Sequence, residues 1–168
     1  WPVLDADQYA REALAPNTAA AKAVAQRFGA VVGNAADLDR KALGRIVFSD
    51  AEERRWLETL VHPVVRDRFQ QELVRHSQAP VVVLMIPLLF ETGLEALCSE
   101  VWLVDCEPQQ QLERLMLRSG LNEADAQARL AAQWPLSRKR PLADRVIDNR
   151  GSADALEAAV NRCDPPSL

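Results

Sequence analysis

The residues from Pro80 to Glu91 form the most apolar stretch of the chain, PVVVLMIPLLFE. Its successive valines and its isoleucine favour a β-strand at about 81–86, and the prolines bound that strand. Because the apolar residues are consecutive, the pattern predicts a strand buried on both faces, which is typical of a parallel sheet. Glu91 follows the strand at the end where α/β sheets bind ligands, so it is a first candidate for a site. The alternative is a plain core strand with a solvated glutamate at its exit.

Strands and helices alternate on either side of this run. Further strands are predicted at Val3-Leu4, 101–106 and 145–149, with helices between them. This order predicts an α/β fold with a parallel, doubly wound sheet. Residues 8–78 are almost entirely helical, which exceeds what one crossover needs, so we interpret them as an inserted helical lobe.

Prolines and capping residues predict where individual helices begin and end. Ser49-Asp50-Ala51-Glu52 has the pattern of a capping box. His62-Pro63 predicts that this helix is interrupted and that another begins at Pro63. Trp134-Pro135 predicts a second break, followed by a basic, helix-poor segment over 137–141.

Composition narrows the classes of function. The chain of 168 residues is 48% hydrophobic, enough for one domain with a real core, and its net charge of −4 argues against a general nucleic-acid binder. The three cysteines form no C-x-x-C pair and the two histidines lie far from them, so we expect reduced thiols and no zinc site. The longest apolar run is shorter than the roughly 18 residues of a membrane span. We therefore expect a cytoplasmic protein with no membrane partner; no oligomeric state follows from the pattern.

Two aspartates lie two positions apart where the first strand runs into a helix. On a strand, Asp5 and Asp7 would share a face and converge on a metal ion or a hydroxyl group; if the helix starts at Asp7, only one need face the site. The alternative is that an aspartate here merely caps the helix. A carboxylate at this place can act as a general base or hold Mg²⁺ through water.

Basic residues concentrate in two places in the second half of the chain. Arg114 and Arg118 have the i, i+4 spacing that puts both on one helix face. Arg138, Lys139 and Arg140 follow within the helix-poor stretch over 137–141. Guanidinium groups match phosphate oxygens bidentately, so this set can clamp a polyphosphate. Taken singly, each residue is more typical of a solvated face.

Four other residues are weaker candidates. Arg11 and Arg40 lie in the helical lobe and have the same solvated alternative. His62, beside a proline, is more typical of a structural helix end than of a catalytic group. Cys106 has no neighbour that would lower its pKa, so nucleophilic catalysis is unsupported.

Together these parts suggest phosphoryl transfer, which needs positioned phosphates, Mg²⁺, a base for the accepting hydroxyl and cationic groups for the transition state. One part is absent from the printed sequence. None of its six glycines is followed by Lys-Ser or Lys-Thr, so it contains no Walker A loop.

The residues in their order along the chain resemble the dephospho-CoA kinase family. The resemblance covers about residues 3–151, and its joint pattern is specific although each fragment is weak. The matching fragments are Val3-Leu4-Asp5-Ala6-Asp7 with Ala10-Arg11, Asp39-Arg40 with Leu43 and Val47-Phe48, Leu57-Glu58 with His62-Pro63, Pro87-Leu88-Leu89-Phe90-Glu91 with Gly93, Val104-Asp105 with Gln111, Arg114 and Arg118, Gln133 with Pro135 and Lys139, and Ala143-Asp144 with Val146-Ile147, Asn149 and Gly151.

The resemblance implies ATP-dependent phosphorylation of the ribose 3′-hydroxyl of dephospho-CoA, with Mg²⁺. It makes Asp7 the general base and gives Asp5 a part in placing Mg²⁺ or the substrate. It also implies an acceptor lobe over 8–78 and a nucleotide-binding core over 79–168 with a lid at about 119–142. The acceptor-side residues would be Arg11, Arg40, His62, Pro87 and Leu88, and the ATP-side residues would be Arg114, Arg118, Arg138, Lys139, Arg140 and Asn149.

The printed sequence departs from the family at its beginning. Members begin with a strand and a Gly-rich loop ending in Gly-Lys-Ser/Thr, whereas this chain begins at Trp1 and enters the second strand. We therefore expect the natural protein to carry that segment upstream, the 168 residues alone to be inactive, and the strands near 81–86 and 101–106 not to pair directly. The alternatives are another small-metabolite or nucleotide kinase, or a non-catalytic protein that binds a CoA-like ligand without an ATP loop.

Overall fold

A computed structural model describes residues 1–163 of the chain. The chain divides into two compact units, Trp1–Pro87 and Leu88–Leu168, and each is described by itself. Both units combine short strands with helices, which confirms the α/β class. Over residues 1–163, no helix has the length and apolar character required to cross a membrane.

The first unit holds two pairs of strands and four α-helices. Its elements are β1 (Val3–Asp5), α1 (Ala6–Ala13), α2 (Ala19–Phe28), a 3₁₀ turn (Gly29–Val31), β2 (Gly33–Asn34), β3 (Asp37–Leu38), α3 (Arg40–Ser49), α4 (Ala51–Arg75) and β4 (Val83–Met85). Strands β1 and β4 are parallel, with Leu4 opposite Leu84, and β2 and β3 form a small antiparallel hairpin.

Two apolar contacts hold the helices of the first unit. Helix α1 packs on α4, where the ring of Tyr9 meets the fully buried Phe69 edge-on with centroids 5.2 Å apart. A second cluster is built from α2, α3 and the adjoining turn, and its buried members are Val24, Val32, Leu43 and Val47. These contacts bury one face of each amphipathic helix, the arrangement that apolar residues at helical spacing predict.

The second unit is built around another parallel pair. Its elements are a 3₁₀ turn (Glu95–Leu97), β5 (Trp102–Asp105), α5 (Pro108–Ser119), α6 (Glu123–Ala131), α7 (Leu136–Lys139), a 3₁₀ turn (Arg140–Leu142), β6 (Arg145–Asp148) and α8 (Ala153–Asn161). Strands β5 and β6 pair in parallel with Val104 opposite Ile147. Helix α5 ends at Gly120, which adopts the left-handed conformation with φ of 61°.

Strand β4 is shorter and more exposed than predicted. It spans Val83–Met85 rather than 81–86, and Met85 is 49% exposed. Within the first unit β4 hydrogen-bonds only to β1, and within the described part of the second unit β5 hydrogen-bonds only to β6. A strand with one neighbour lacks the surrounding surface that buries the strands of a wide parallel sheet.

Three helix boundaries differ from the predicted ones. Helix α4 continues through Pro63 as one helix, because buried residues on both sides of the proline, Val61 and Val65, hold the chain in helical register. Its N-cap is Asp50 rather than Ser49, and the Asp50 carboxylate accepts the N–H groups of Glu52 and Glu53. The segment expected to be helix-poor forms α7 followed by a 3₁₀ turn.

Candidate active site

The two predicted acidic residues have different environments at the start of α1. Asp5 is the N-cap, and its Oδ1 accepts the N–H groups of Asp7 at 2.8 Å and Gln8 at 3.4 Å. Asp7 lies in the first helical turn, is exposed, and its carboxylate makes no hydrogen bond or ion pair with the rest of residues 1–163. The capping alternative therefore describes Asp5, while Asp7 keeps a carboxylate that can accept a proton from a ligand.

Arg11 and Arg40 come together at the end of α1. The Arg40 guanidinium donates from Nη2 to the carbonyl oxygens of Arg11, at 3.1 Å, and of Leu14, at 3.3 Å. Arg40 is the first residue of α3, whose N-cap Asp39 accepts the N–H groups of Lys41 and Ala42. Only one of its three guanidinium nitrogens is used in these bonds, so Nε and Nη1 can bind an anion.

Three further acceptor-side candidates, His62, Pro87 and Leu88, differ in their local structure. His62 is half-buried within α4, one residue before Pro63. Pro87 is exposed after β4, at the end of the first unit. In the second unit, the carbonyl oxygen of Leu88 accepts both the N–H, at 3.0 Å, and the hydroxyl, at 2.7 Å, of Thr92, which forms a compact turn.

Helix α5 and the end of β6 bring together two predicted ATP-side residues. Arg114 donates from Nη1 to the carbonyl oxygen of Asn149 at 2.7 Å, and the Asn149 N–H is bonded to the carbonyl of Asp105 at 2.7 Å. Arg118 is exposed one turn further along α5 and makes no hydrogen bond or ion pair with the rest of residues 1–163. The i, i+4 pair thus contains one arginine held in place and one available to a ligand.

The three basic residues around α7 have different surroundings, although they were predicted to act as one clamp. Lys139 is buried, and its Nζ lies 2.7 Å from Oε1 of Glu91. Arg140 donates from Nε to Oδ2 of the buried Asp105 at 2.9 Å, and its Nη2 lies at the same distance. Arg138 is exposed, and its guanidinium carbon lies 3.3 Å from the centre of the Trp134 ring.

Glu91 and Asp105 are the residues whose roles the sequence pattern did not reveal. The interpretation of Glu91 as a solvated side chain is wrong, because the side chain is only 12% exposed and is ion-paired. Asp105 ends β5 and is also buried. Each carboxylate has one buried oxygen, Oε2 of Glu91 and Oδ1 of Asp105, without a hydrogen-bond partner among residues 1–163. The sequence signal for these residues is an acidic residue at the end of an apolar strand. The sequence does not indicate that Glu91 pairs with Lys139 or that Asp105 pairs with Arg140.

Cys106 and the acidic side chains are the remaining groups with possible nucleophilic or metal-binding chemistry. Burial raises the pKa of Cys106, which makes its thiol less reactive than an ordinary one. Residues 1–163 contain no group of three or more His, Cys, Asp or Glu side chains placed to hold a metal ion. An ion held mainly by phosphates and water, with one or two carboxylates, fits this acidic set better than a site made of protein ligands alone.

A comparison against known families gives a match over most of the chain. A family model described as dephospho-CoA kinase matches residues 1–155. The chain belongs to the dephospho-CoA kinase family. A dephospho-CoA kinase from Parasynechococcus marenigrum (strain WH8102) is 71% identical over 163 residues, which cover 97% of this chain and 82% of that protein. One from Prochlorococcus marinus (strain MIT 9313) is 57% identical over 159 residues, 92% of this chain and 78% of that protein.

Solved structures give the same assignment for the fold. A crystal structure of TT1252 from Thermus thermophilus superposes with a TM-score of 0.76 at 40% identity, and it covers 96% of this chain and 82% of that one. A dephospho-CoA kinase from Campylobacter jejuni superposes with a TM-score of 0.64 at 28% identity, with the same coverages. The fold is therefore that of the P-loop kinases to which the dephospho-CoA kinase family belongs.

Proposed function

We propose that this protein transfers the γ-phosphate of ATP to the ribose 3′-hydroxyl of dephospho-CoA, the final step of coenzyme A synthesis. The observation that carries the proposal is the family match over residues 1–155, which includes an exposed, unpaired Asp7 at the N-terminus of α1. This match favours a kinase over a non-catalytic CoA-binding protein. Three cysteines free of disulfides, Cys98, Cys106 and Cys163, support a reducing compartment, and we place the reaction in the cytoplasm.

Asp7 is the proposed general base. Its carboxylate accepts the proton of the 3′-hydroxyl as that oxygen forms a bond to the γ-phosphorus, while the bond from the γ-phosphorus to the bridging oxygen breaks and ADP leaves. Asp5 keeps the helix start in place through its two N–H bonds and has a second oxygen, Oδ2, for a water ligand of Mg²⁺. The metal ion, when bound with ATP, would neutralise phosphate charge.

The acceptor and ATP sides use different residues. Arg40, whose Nε and Nη1 remain available, is proposed to bind a phosphate or the ribose of dephospho-CoA. The other residues proposed on the acceptor side are Arg11 and His62, in the helical lobe over 8–78, and Pro87 and Leu88, after β4. In the core over 79–168, Arg114, Arg118 and Arg138 are proposed to meet ATP phosphates, with Asn149 near the adenine, and 119–142 to act as the lid. Lys139 and Arg140 hold that segment in place.

Substrate selection tests the proposal directly. The complete protein, incubated with ATP and Mg²⁺, is expected to form ADP with dephospho-CoA and to leave nucleoside monophosphates unphosphorylated. Phosphorylation of monophosphates with no turnover of dephospho-CoA would contradict it in favour of another small-metabolite kinase. The 168 residues alone contain no Gly-Lys-Ser/Thr sequence, and we expect them to show no turnover in the same assay.

A further inference from the structure

The segment from Trp134 to Arg140, called here the basic segment, is attached to the second unit by two acidic side chains. Oε1 of Glu91 accepts the backbone N–H of Trp134 at 2.8 Å and lies 2.7 Å from Nζ of Lys139. Oδ2 of Asp105 accepts Nε of Arg140 at 2.9 Å. One oxygen of Glu91 thus contacts Trp134, which precedes α7, and Lys139, the last residue of α7, five positions apart in the chain.

The burial of these groups makes the attachment strong. The side chains of Glu91 and Lys139 are 12% and 6% exposed, so water screens their attraction weakly. Removing one member of such a pair leaves a charge that is neither solvated nor neutralised, which is far more costly than breaking an exposed pair. The other oxygen of Glu91, Oε2, is buried without a hydrogen-bond partner among residues 1–163. Glu91 therefore concentrates both bonds on the one oxygen that faces the basic segment.

Arg138 lies between the two points that Glu91 holds. Its guanidinium stacks on the indole of Trp134, 3.3 Å from the ring centre, and the residue is exposed. Lys139 and Arg140 already have carboxylate partners, whereas none of the hydrogen bonds or ion pairs among residues 1–163 involves the Arg138 guanidinium. A planar, charged group on a fixed aromatic surface is well suited to meet phosphate oxygens.

We propose that Glu91 is a positioning residue for ATP: by holding Trp134 and Lys139 on one carboxylate oxygen, it fixes the surface from which Arg138 meets the phosphates. This inference rests on the proposed function in one respect, that the basic segment faces ATP. Glu91 acts through Trp134 and Arg138 and does not itself touch the nucleotide.

The variant Glu91→Gln tests the proposal in the complete protein. The amide keeps an oxygen for the Trp134 N–H but removes the charge opposite Lys139. We expect the Kd for ATP, measured by calorimetry, to rise about tenfold or more, as small displacements of binding groups do, while the KM for dephospho-CoA stays within about twofold. Hydrogen exchange at residues 134–140 should become faster. The matched control is Glu100→Gln, because Glu100 is also a largely buried acid of this unit, bonded to Arg145 and Trp102 rather than to the basic segment.

A double-mutant cycle separates positioning from a structural role. Arg138→Gln changes an exposed residue and is expected to fold normally and to weaken ATP binding by itself. Because Glu91 acts through Arg138, the two variants together should weaken binding little more than the stronger one alone. Additive effects, or a lowered melting temperature of Glu91→Gln with unchanged ATP affinity, would overturn the proposal. Since ATP binding is measured without an acceptor, these results stand even if dephospho-CoA proves not to be the substrate.

Discussion

Asp5 and Asp7 show how two like residues near one helix start acquire different roles. A residue at the N-cap accepts backbone N–H groups, and Asp5 does so, whereas a residue in the first turn has its own N–H bonded and its side chain directed outward. Asp5 therefore caps the helix in addition to the Mg²⁺ role proposed above, and Asp7 remains the proposed base.

Replacing Asp7 by asparagine is expected to reduce turnover of dephospho-CoA by a factor on the order of 100 or more, because the amide cannot accept the hydroxyl proton. The measurement is kcat of the complete protein at saturating ATP. The control is Glu12→Gln, which makes the same acid-to-amide change at an exposed residue of α1 that has no proposed role in the reaction. Near-normal turnover of Asp7→Asn would remove Asp7 from the role of base.

Asp39 caps α3, the helix that begins at Arg40, and the strength of this cap depends on pH. The hydrogen bond donated by the Ala42 N–H, with help from that of Lys41, lowers the pKa of Asp39 below its usual 3.8. Because the folded pKa is the lower one, the ionised cap stabilises the protein above pH 3.8 and loses this effect as the pH falls through the folded value.

We therefore expect Asp39→Ala to lower the melting temperature by a few degrees at neutral pH and by less as the pH falls below 3.8. Thermal unfolding from pH 7 downwards, followed by circular dichroism, measures this difference. The control is Asp39→Asn, which retains an uncharged cap. A difference between wild type and Asp39→Ala that is the same at every pH would contradict the assignment.

At the level of secondary-structure elements, packing against α4 fixes the position of α1, the helix that carries Asp7. Phe69 is fully buried and contacts Tyr9, which lies one half-turn after Asp7 on α1. The variant Phe69→Ala is expected to lower the free energy of unfolding of the complete protein by about 3–5 kcal/mol, because it removes buried apolar surface and leaves a cavity. Urea denaturation measures the loss. Phe69→Leu keeps most of the volume and should lose clearly less; equal losses would show that the cavity is not the cause.

Local signals predicted most elements but failed where packing decides. The cap Asp39 at the start of α3 and Gly120 at the end of α5 are signals of this local kind, because each acts within a few residues of the chain. Local signals failed at Pro63, where the burial of Val61 and Val65 on either side of the proline holds the helix together. The exposure of β4 also depends on which strands lie beside it, and a local sequence pattern does not predict those neighbours.

The same distinction holds for the candidate site. Residue type and spacing made Asp5, Asp7, Arg114 and Arg118 candidates, because the chemistry of each is carried by the side chain itself. Spacing could not show that Lys139 is buried against Glu91, since the two are far apart in sequence and each is ordinary by itself. Ion pairs of this kind depend on the tertiary fold, so three adjacent basic residues that look alike in the sequence differ in the folded protein.

For the molecule as a whole, the negative net charge restricts the interactions that can bind ATP. The net charge is −4, so the overall field does not attract a polyanion. Binding must depend on exposed cations close to the phosphates, for which Arg118 and Arg138 are the candidates. Such short-range attraction between partly solvated groups is sensitive to salt, because the Debye length falls from about 10 Å at 0.1 M to about 3 Å at 1 M.

We therefore expect the KM for ATP of the complete protein to rise roughly threefold to tenfold between about 0.1 M and about 1 M KCl, with constant free Mg²⁺. Coupled measurement of ADP formation at several salt concentrations gives the slope. Arg118→Gln should raise KM at low salt and make the slope shallower, because one screened contact has already been removed. If wild type and Arg118→Gln have the same slope, Arg118 does not contact the phosphates, and the ATP side would have to be assigned to Arg114 and Arg138 alone.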